Sequence, residues 1–163
     1  MSNKKTIGFG IIGLGMIAEF HVKAINEIGG CQFVAGYNHN PEKAAAFCAK
    51  HGGTGYGDLD SFLSDKKIDI VIIATPSGNH MDGAVAAARA GKHVIVEKPL
   101  EINIARCDII IAEARANKVK LATIFMSRYH TAAGVIKKAI DEGRLGKIVL
   151  ADAQIKWYRT QEY

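Results

Sequence analysis

The chain has 163 residues, of which 48% are hydrophobic and 23% are charged, proportions that fit one ordinary globular domain and exclude a disordered or collagen-like chain. Its formal net charge is +5, but the basic residues are spread as short pairs with acids between them, which argues against a nucleic-acid partner. No apolar run is long enough to cross a bilayer, so no membrane partner is expected.

The three cysteines are far apart in the sequence and odd in number. This distribution argues against a disulfide scaffold and against a cysteine metal cluster, and it favours a reducing compartment. We therefore expect a cytoplasmic protein without a metal site.

Strand-like and helix-like segments alternate along the first three quarters of the chain. In chain order the pattern predicts a strand at 6–12, a helix at 16–28, a strand at 32–37, a helix at 41–51, a short edge strand within 52–60, a helical turn from Asp60, a strand at 69–74, a helix at 79–90, a strand at 93–97, a helix at 104–117 and a strand at 120–125. This alternation predicts an α/β fold with a doubly wound parallel sheet, in which ligands bind at the carboxyl ends of the strands.

Residues 126–163 have a different pattern. A helix is predicted at 131–143, followed by one long strand at 147–158 in which apolar and polar residues partly alternate. Such a strand is typical of the start of another sheet, and no later segment of the chain pairs with it. We therefore predict two domains, one at 1–125 and the truncated start of a second at 126–163, whose last strand is an edge open to pairing.

A glycine-rich turn follows the first predicted strand and opens the first helix, with the pattern G-x-G-x-x-A over residues 13–18. Gly13 permits the tight turn, Gly15 leaves room for a pyrophosphate to approach the backbone, and Ala18 lets the helix pack closely on the strand. The helix N-terminus offers free N–H groups and a positive dipole to the phosphates. The turn predicts binding of NAD or NADP; the alternatives are a structural turn that binds nothing and a methyltransferase site for S-adenosylmethionine.

The end of the second predicted strand is where a dinucleotide site usually places an acidic residue against the adenosine ribose. Asn38 holds that position, and His39 is the nearby candidate cation. An amide still bonds a ribose hydroxyl, and it removes the negative charge that repels a 2′-phosphate. The choice between NAD and NADP therefore stays open, and the absence of the acid weakens the methyltransferase alternative.

Two further strand ends carry residues that suit a ligand. Thr75 and Pro76 follow the fourth predicted strand, in a turn of small residues that allows close approach of a flat ring or a ribose. Lys98 follows the fifth, where an ammonium group can hydrogen-bond a substrate hydroxyl and exchange a proton. The ordinary alternatives are a capped structural turn and a solvated loop lysine. The Lys98–Pro99 bond is a candidate for a cis peptide.

Four segments together resemble one enzyme family over nearly the whole chain. They are GIIGLGMIAEFH at residues 10–21, ATPSGNH at 74–80, AGKHVIVEKPL at 90–100 and GRLGKI at 143–148. The resemblance is to the Gfo/Idh/MocA family, the glucose–fructose oxidoreductase and inositol dehydrogenase group. It implies a Rossmann domain followed by a second domain, and an NAD(P)-dependent oxidoreductase that moves a hydride to or from a sugar or polyol carbon.

The resemblance also implies a set of site residues. The cofactor-binding positions that it implies are Gly13, Gly15, Met16, Ile17, Asn38, Thr75, Pro76, His80, Glu97, Lys98 and Arg128, to which His39 is added as the candidate cation. Within this set Lys98 is the implied catalytic lysine, and Arg128 matches a residue near the nicotinamide and the substrate. The KWYR of residues 156–159 resembles the branch that oxidises UDP-linked N-acetylated hexuronates.

Members of this family are considerably longer, and their second domain is an open β-sheet with a helix whose histidine completes the active site. The chain stops about where that sheet begins, and no histidine follows His130. We therefore expect this chain alone to bind a dinucleotide but to be inactive, and the full-length form to be a homo-oligomer. A non-catalytic dinucleotide-binding module or redox sensor is the alternative function. It needs the glycine-rich turn at residues 13–18, here named the phosphate turn, but it does not need Lys98.

Overall fold

The periodic segments of the sequence form alternating strands and helices. The structure, a computed structural model, describes residues 6–161. Its strands are β1 (Ile7–Ile12), β2 (Cys31–Tyr37), β3 (Thr54–Tyr56), β4 (Ile70–Ile73), β5 (His93–Val96) and β6 (Leu121–Thr123). Its helices are α1 (Met16–Glu27), α2 (Pro41–His51), α3 (Leu59–Ser64), α4 (His80–Arg89), α5 (Ile104–Ala116) and α6 (Thr131–Asp141). The elements predicted up to residue 125 are confirmed, with ends that shift by one or two residues.

The strands form one fully parallel sheet in the order β3-β2-β1-β4-β5-β6. The chain first builds outward from β1 to β3 and then crosses to the other side of β1 to continue with β4. This is the doubly wound order of a Rossmann fold, so the predicted fold class is confirmed. The direction of winding changes between β1 and β4, which is where sheets of this kind bind their ligands.

The core lies on both faces of the central strands. Val71, Ile72 and Ile73 of β4 are all buried, because β4 lies between β1 and β5 and helices cover both faces. Val71 and Ile73 belong to one buried cluster, together with Phe62 of α3. Ile72 belongs to the other, together with Ala18 of α1. The continuous β-branched run of β4 therefore supplies side chains to two separate cores.

Residues from Met126 onward form a separate compact unit, and the sheet belongs to the unit that ends at Phe125. The second unit contains a 3-10 turn at Met126–Tyr129 and the helix α6. The strand predicted at 147–158 is wrong, because residues 126–161 form no strand and Val149 and Trp157 are 87% and 74% exposed. A strand is stable only beside a hydrogen-bonded partner, and this described part of the unit offers none.

The described part of the chain has no disulfide bond among its cysteines, since Cys31, Cys48 and Cys107 are free thiols. Burial raises the pKa of the Cys48 thiol, and a backbone hydrogen bond from Gly36 offsets part of that effect. Within residues 6–161, no helix is both long and apolar enough to cross a membrane. In the same residues, no group of three or more histidine, cysteine or acidic side chains is arranged to hold a metal ion.

Candidate functional site

The carboxyl ends of four neighbouring strands meet at one edge of the sheet. The backbone ladder continues past the strand ends through bonds from Gly13 N–H to Tyr37 O (3.2 Å), from Ala74 N–H to Ile12 O (2.8 Å) and from Glu97 N–H to Ile73 O (3.0 Å). The predicted residues Gly13, Asn38, Thr75 and Lys98 follow β1, β2, β4 and β5 respectively, so the structure brings them to this edge. Arg128 belongs to the second unit, where it lies exposed on the turn Met126–Tyr129.

The two glycines of the phosphate turn have different surroundings. Gly13 has a φ of +91°, and a Cβ on it would lie 2.7 Å from the backbone of Ala74 and Thr75. Gly15 has a φ of −91°, and within residues 6–161 nothing beyond its chain neighbours lies within 4 Å of a Cβ placed on it. The fold therefore requires glycine at position 13, whereas the space beside Gly15 is open to a ligand.

Helix α1 begins directly after this open space. Gly15 occupies its N-cap position, so no side chain caps the first turn. Met16 is 80% exposed, Ile17 is half-buried, and Ala18 is fully buried against the sheet. An uncapped N-terminus leaves N–H donors and the positive end of the helix dipole available to an anion. The turn and the helix together fit the pyrophosphate of a dinucleotide.

The side chain of Asn38 is held in a local turn at the end of β2. Its Oδ1 accepts the N–H of Asn40 at 2.9 Å, so the amide NH₂ is the half of the side chain that has no hydrogen bond within residues 6–161. His39 is exposed, and it lines an open depression of about 570 Å³ together with Asn40, Pro41 and Glu42. An amide donor suits ribose hydroxyls and does not repel a 2′-phosphate.

The turn after β4 is fixed by its own hydrogen bonds. Thr75 Oγ1 donates to Asn79 O at 2.9 Å, and Asn79 N–H donates to Pro76 O at 3.0 Å. Gly78 adopts a φ of +92°, which lets the turn close before α4 begins. Thr75 is half-buried and Pro76 is exposed, so this ordered turn presents Pro76 at the surface.

His80, the first residue of α4, is only 1% exposed. Its Nδ1 lies 2.9 Å from Pro99 O, and its Nε2 lies 2.9 Å from Thr75 O. A carbonyl oxygen thus faces each ring nitrogen, and a neutral ring donates to one of the two according to its tautomer. The ring lies between the turn after β4 and the loop after β5 and contacts both. As a cofactor contact His80 stays a prediction; the contacts observed are those of a residue that holds two loops together.

The loop after β5 contains the predicted catalytic lysine. The Lys98–Pro99 peptide bond is cis, as predicted. The Lys98 side chain is exposed, and among residues 6–161 its ammonium group has no hydrogen bond or ion pair. This ammonium group is therefore available to a ligand oxygen at the edge of the sheet that also carries the phosphate turn.

Glu97, the residue before Lys98, is 7% exposed and has both carboxylate oxygens engaged. Its Oε1 lies 3.0 Å from Nε2 of His21 in α1, and its Oε2 accepts the N–H of Lys98 at 3.1 Å. Burial lowers the pKa of His21, and the neighbouring Glu97 carboxylate offsets part of that effect. Near neutral pH, His21 is thus an uncharged ring that donates to a carboxylate.

A second buried carboxylate, Glu101, supports the other end of this loop. It accepts the N–H groups of Met81 at 2.9 Å and Ile102 at 2.8 Å, and Arg106 Nη2 donates to it at 3.3 Å. Burial alone would raise the pKa of Glu101, but these three donors outweigh burial and lower it. Because Met81 lies in the first turn of α4, Glu101 caps the helix that Asn79 leaves without a side-chain cap.

Two residues of this arrangement, His21 and Glu101, are not predicted from the sequence. His21 lies on the apolar face of α1, between the buried residues Ala18 and Ile25. A histidine on such a face needs a polar partner, which is the local signal that the sequence offers. The partner, Glu97, is 76 residues away and carries no local signal of the pairing.

Sequence comparison finds polyol and sugar enzymes among the relatives. The inositol 2-dehydrogenase of Salmonella typhimurium is 34% identical over 146 residues, which cover 87% of this chain and 44% of that protein. The 1,5-anhydro-D-fructose reductase of Ensifer adhaerens is 32% identical over 145 residues, which cover 88% of this chain and 43% of that protein. The chain thus spans less than half the length of these relatives.

Solved structures share the fold. The WlbA dehydrogenase from Bordetella pertussis, in complex with NADH and UDP-GlcNAcA, has a TM-score of 0.83 at 31% identity, over 87% of this chain and 44% of that one. The scyllo-inositol dehydrogenase from Lactobacillus casei, with bound NAD(H) and scyllo-inositol, has a TM-score of 0.78 at 29% identity, over 87% of this chain and 43% of that one. Residues 7–125 match the family model GFO_IDH_MocA, an oxidoreductase family with an NAD-binding Rossmann fold, and the chain belongs to that family.

Proposed function

We propose that the protein containing this chain is an NAD(P)-dependent dehydrogenase that transfers a hydride to or from a carbon of a sugar or polyol. The observation that carries the proposal is the position of Lys98, exposed at the end of β5 on the sheet edge that also carries the phosphate turn. Membership of an NAD-binding oxidoreductase family supports it. The substrate class is inferred from relatives that act on inositol and on 1,5-anhydro-D-fructose.

In the proposed complex, the cofactor lies across the carboxyl ends of β1, β2, β4 and β5. Gly13, Gly15 and the first turn of α1 hold the pyrophosphate, a role that the open space beside Gly15 supports. The Asn38 amide contacts the adenosine ribose, with His39 beside it for a 2′-phosphate. The residues assigned to the nicotinamide half are Thr75, Pro76, His80, Glu97, Lys98 and Arg128.

The proposed chemistry places one proton-handling group of this chain at the reacting alcohol. A bound nicotinamide supplies the hydride acceptor or donor. Lys98 hydrogen-bonds the substrate hydroxyl and stabilises the charge that develops on that oxygen. The free ammonium group supports this role. Glu97 and His80 have their polar atoms within hydrogen-bond distance of protein groups, so their proposed part in the nicotinamide half is to hold the loops that line it.

The second unit is proposed to begin the domain that recognises the substrate and forms the homo-oligomer. The KWYR segment at 156–159 supports a nucleotide-linked sugar acid as one substrate, because a WlbA dehydrogenase binds UDP-GlcNAcA. In this segment the Arg159 guanidinium lies 5.2 Å from the centre of the Trp157 ring. Inositols are the other substrate class, and the free thiols fit the proposed reducing cytoplasm.

The cofactor assignment is tested by titrating the chain with NADH and with NADPH and following nicotinamide fluorescence. Saturable binding of either nucleotide is the expected result, and the ratio of the two dissociation constants gives the cofactor preference. A folded chain that binds neither nucleotide contradicts the assignment. Binding of S-adenosylmethionine in their place establishes the methyltransferase alternative.

The catalytic assignment is tested with Lys98→Ala in the complete gene product, with myo-inositol, scyllo-inositol, 1,5-anhydro-D-fructose and UDP-GlcNAcA as substrates. We expect turnover to fall about 10²- to 10⁴-fold while NADH affinity falls far less, because the main role proposed for Lys98 is on the substrate oxygen. Lys66→Ala is the matched control, since Lys66 is exposed and lies before β4, at the opposite end of that strand. Undiminished turnover in Lys98→Ala favours a non-catalytic role for this residue.

A further inference from the structure

We propose that His21, acting through Glu97, is a positioning residue that fixes Lys98 relative to the cofactor-binding helix α1. The inference rests on the proposed function, because it assumes that Lys98 is the group that meets the substrate. It adds a second role for α1, whose N-terminus is assigned to the pyrophosphate. The helix then also sets the position of the loop that carries the reacting ammonium group.

The contact between helix and loop is short and buried. His21 is 9% exposed and Glu97 is 7% exposed, and Nε2 of the histidine lies 3.0 Å from Oε1 of the glutamate. A carboxylate only accepts hydrogen bonds, so the histidine must be the donor through Nε2. The carboxylate therefore fixes the direction of the hydrogen bond, and with it the Nε2–H tautomer of the neutral ring.

The same carboxylate reaches the backbone of the lysine. Glu97 Oε2 accepts the Lys98 N–H at 3.1 Å, so one side chain joins α1 to the first atom of the lysine residue. On its other side, the loop is held through Pro99 O by His80. These two contacts fix the backbone on both sides of Lys98. The Lys98 side chain is exposed and is not held by either contact.

A purely structural explanation accounts poorly for a polar pair at this place. The surrounding face of α1 packs with apolar residues, including Ala18, Val22 and Ile25. Burial of the His21 ring and the Glu97 carboxylate has a desolvation cost, and a buried polar pair is often no more stabilising than apolar residues of similar size. What the pair supplies that apolar packing does not is a directional bond, and that bond ends on the Lys98 loop.

The glutamine substitution at position 97 separates geometry from charge. In Glu97→Gln the amide oxygen can still accept the Lys98 N–H, and the amide NH₂ then donates to Nε2 of His21. The histidine proton must move from Nε2 to Nδ1 for this to happen, which ¹⁵N chemical shifts of the imidazole report directly. A positioning role thus predicts that Glu97→Gln keeps the loop in place with the other histidine tautomer.

The experiment measures hydrogen exchange of the Lys98 backbone amide by NMR in the 163-residue chain. The variants are His21→Ala, Glu97→Ala and Glu97→Gln. We expect exchange about tenfold faster than wild type in the two alanine variants and near the wild-type rate in Glu97→Gln. His51→Gln is the matched control, because His51 Nε2 lies 2.7 Å from a carboxylate oxygen of Glu19 of α1, a pair that has no bond to the Lys98 loop. In the complete gene product, His21→Ala is expected to lower kcat about 100-fold at unchanged NADH affinity.

Two results overturn the inference. One is a Lys98 amide that exchanges at the wild-type rate in a folded His21→Ala variant, with the amides of β5 serving as the internal reference for folding. The other is a Glu97→Gln variant in which His21 keeps its proton on Nε2 while the Lys98 amide still exchanges at the wild-type rate. The glutamine oxygen then accepts from His21 and leaves the Lys98 N–H without an acceptor, so an unchanged rate means that this bond does not hold the loop. This pair of measurements remains decisive if the alanine variants do not fold. Failure of the wild-type chain to bind NADH overturns the proposed function instead and leaves both NMR measurements valid.

Discussion

At the residue scale, the phosphate turn contains two glycines with different surroundings. At Gly13 the positive φ and the backbone of Ala74 exclude any side chain. At Gly15 the backbone is ordinary and the surrounding space is empty among the described residues, so the protein itself has no need of glycine there. Glycine at position 15 instead suits the proposed approach of a pyrophosphate to the backbone, and this difference makes a matched pair of substitutions informative.

We expect Gly13→Ala to lower the free energy of unfolding by at least about 2 kcal/mol, because it adds backbone strain and a clash. Gly15→Ala should change the free energy of unfolding by less than about 1 kcal/mol but weaken NADH binding about tenfold or more. Urea unfolding and nicotinamide fluorescence measure the two quantities on the same samples. A Gly15→Ala variant with wild-type NADH affinity contradicts the placement of the pyrophosphate.

The proposed contact of Asn38 with the ribose predicts that this residue affects the choice between NADH and NADPH. We expect Asn38→Asp to raise the dissociation constant for NADPH about tenfold relative to that for NADH, because a carboxylate bonds the ribose hydroxyls but repels a 2′-phosphate. Asn26→Asp, on the exposed surface of α1, is the control for the same change in net charge. Parallel fluorescence titrations with both nucleotides give the ratio, and an unchanged ratio means that Asn38 does not face the ribose.

At the element scale, the N-termini of α4 and α5 differ in whether the N-cap side chain makes a hydrogen bond that stabilises the helix. Asn103 caps α5, with its side chain accepting the N–H of Arg106 at 2.9 Å, whereas Asn79 stands at the N-cap of α4 without such a bond. We expect Asn103→Ala to lower the free energy of unfolding by about 1 kcal/mol and Asn79→Ala by about half of that or less. Urea unfolding of the two variants checks this, and equal losses contradict the assignment of the cap of α4 to Glu101.

The strands and helices of the first unit can be predicted from the sequence because the patterns that indicate them are local. The β-branched run of β4, the Asn40–Pro41 start of α2 and the glycine turn before α1 each depend on a few adjacent residues. The segment at 147–158 has an equally local strand pattern, but a strand also needs a partner, which the described part of the second unit does not supply. The local pattern is therefore sufficient to predict the strands of the sheet and insufficient to predict the structure of residues 147–158.

The residues of the candidate site also include some that the local sequence predicts and some that it does not. Gly13, Asn38 and Lys98 are predictable because each lies one or two residues after a strand, and parallel strands bring their carboxyl ends to one edge. The contact between His21 and Glu97 depends on how α1 packs against the loop after β5, and no spacing in the sequence specifies it. The residues proposed to touch a ligand can thus be found from the strand ends in the sequence, whereas the residues that support them are found only from the tertiary packing.

At the scale of the whole molecule, the buried His21 makes stability depend on pH in a defined direction. In the unfolded chain this ring titrates near its ordinary value of 6.5, whereas burial lowers its pKa in the folded protein. Above about pH 6.5 both states are uncharged, so the full stability is present. As the pH falls below that value the unfolded state gains a proton first, and stability is lost until the pH passes through the folded pKa.

We expect the free energy of unfolding to fall between about pH 6.5 and about pH 5, by at most about 1.4 kcal/mol per pH unit for this proton. Three carboxyl groups have pKa values that hydrogen bonds lower from their ordinary values: Glu19 from 4.5 through Lys50, Asp58 from 3.8 through Ser61, and Glu113 from 4.5 through Arg89. Protonation of these carboxyls therefore reduces the free energy of unfolding only at lower pH. Urea unfolding across this range should show the fall in the wild type and a flatter profile in His21→Gln, which has no titrating ring. Because the glutamine can still donate to Glu97, the comparison removes the proton and keeps the bond. Identical profiles would mean that His21 is not the group that couples protonation to unfolding.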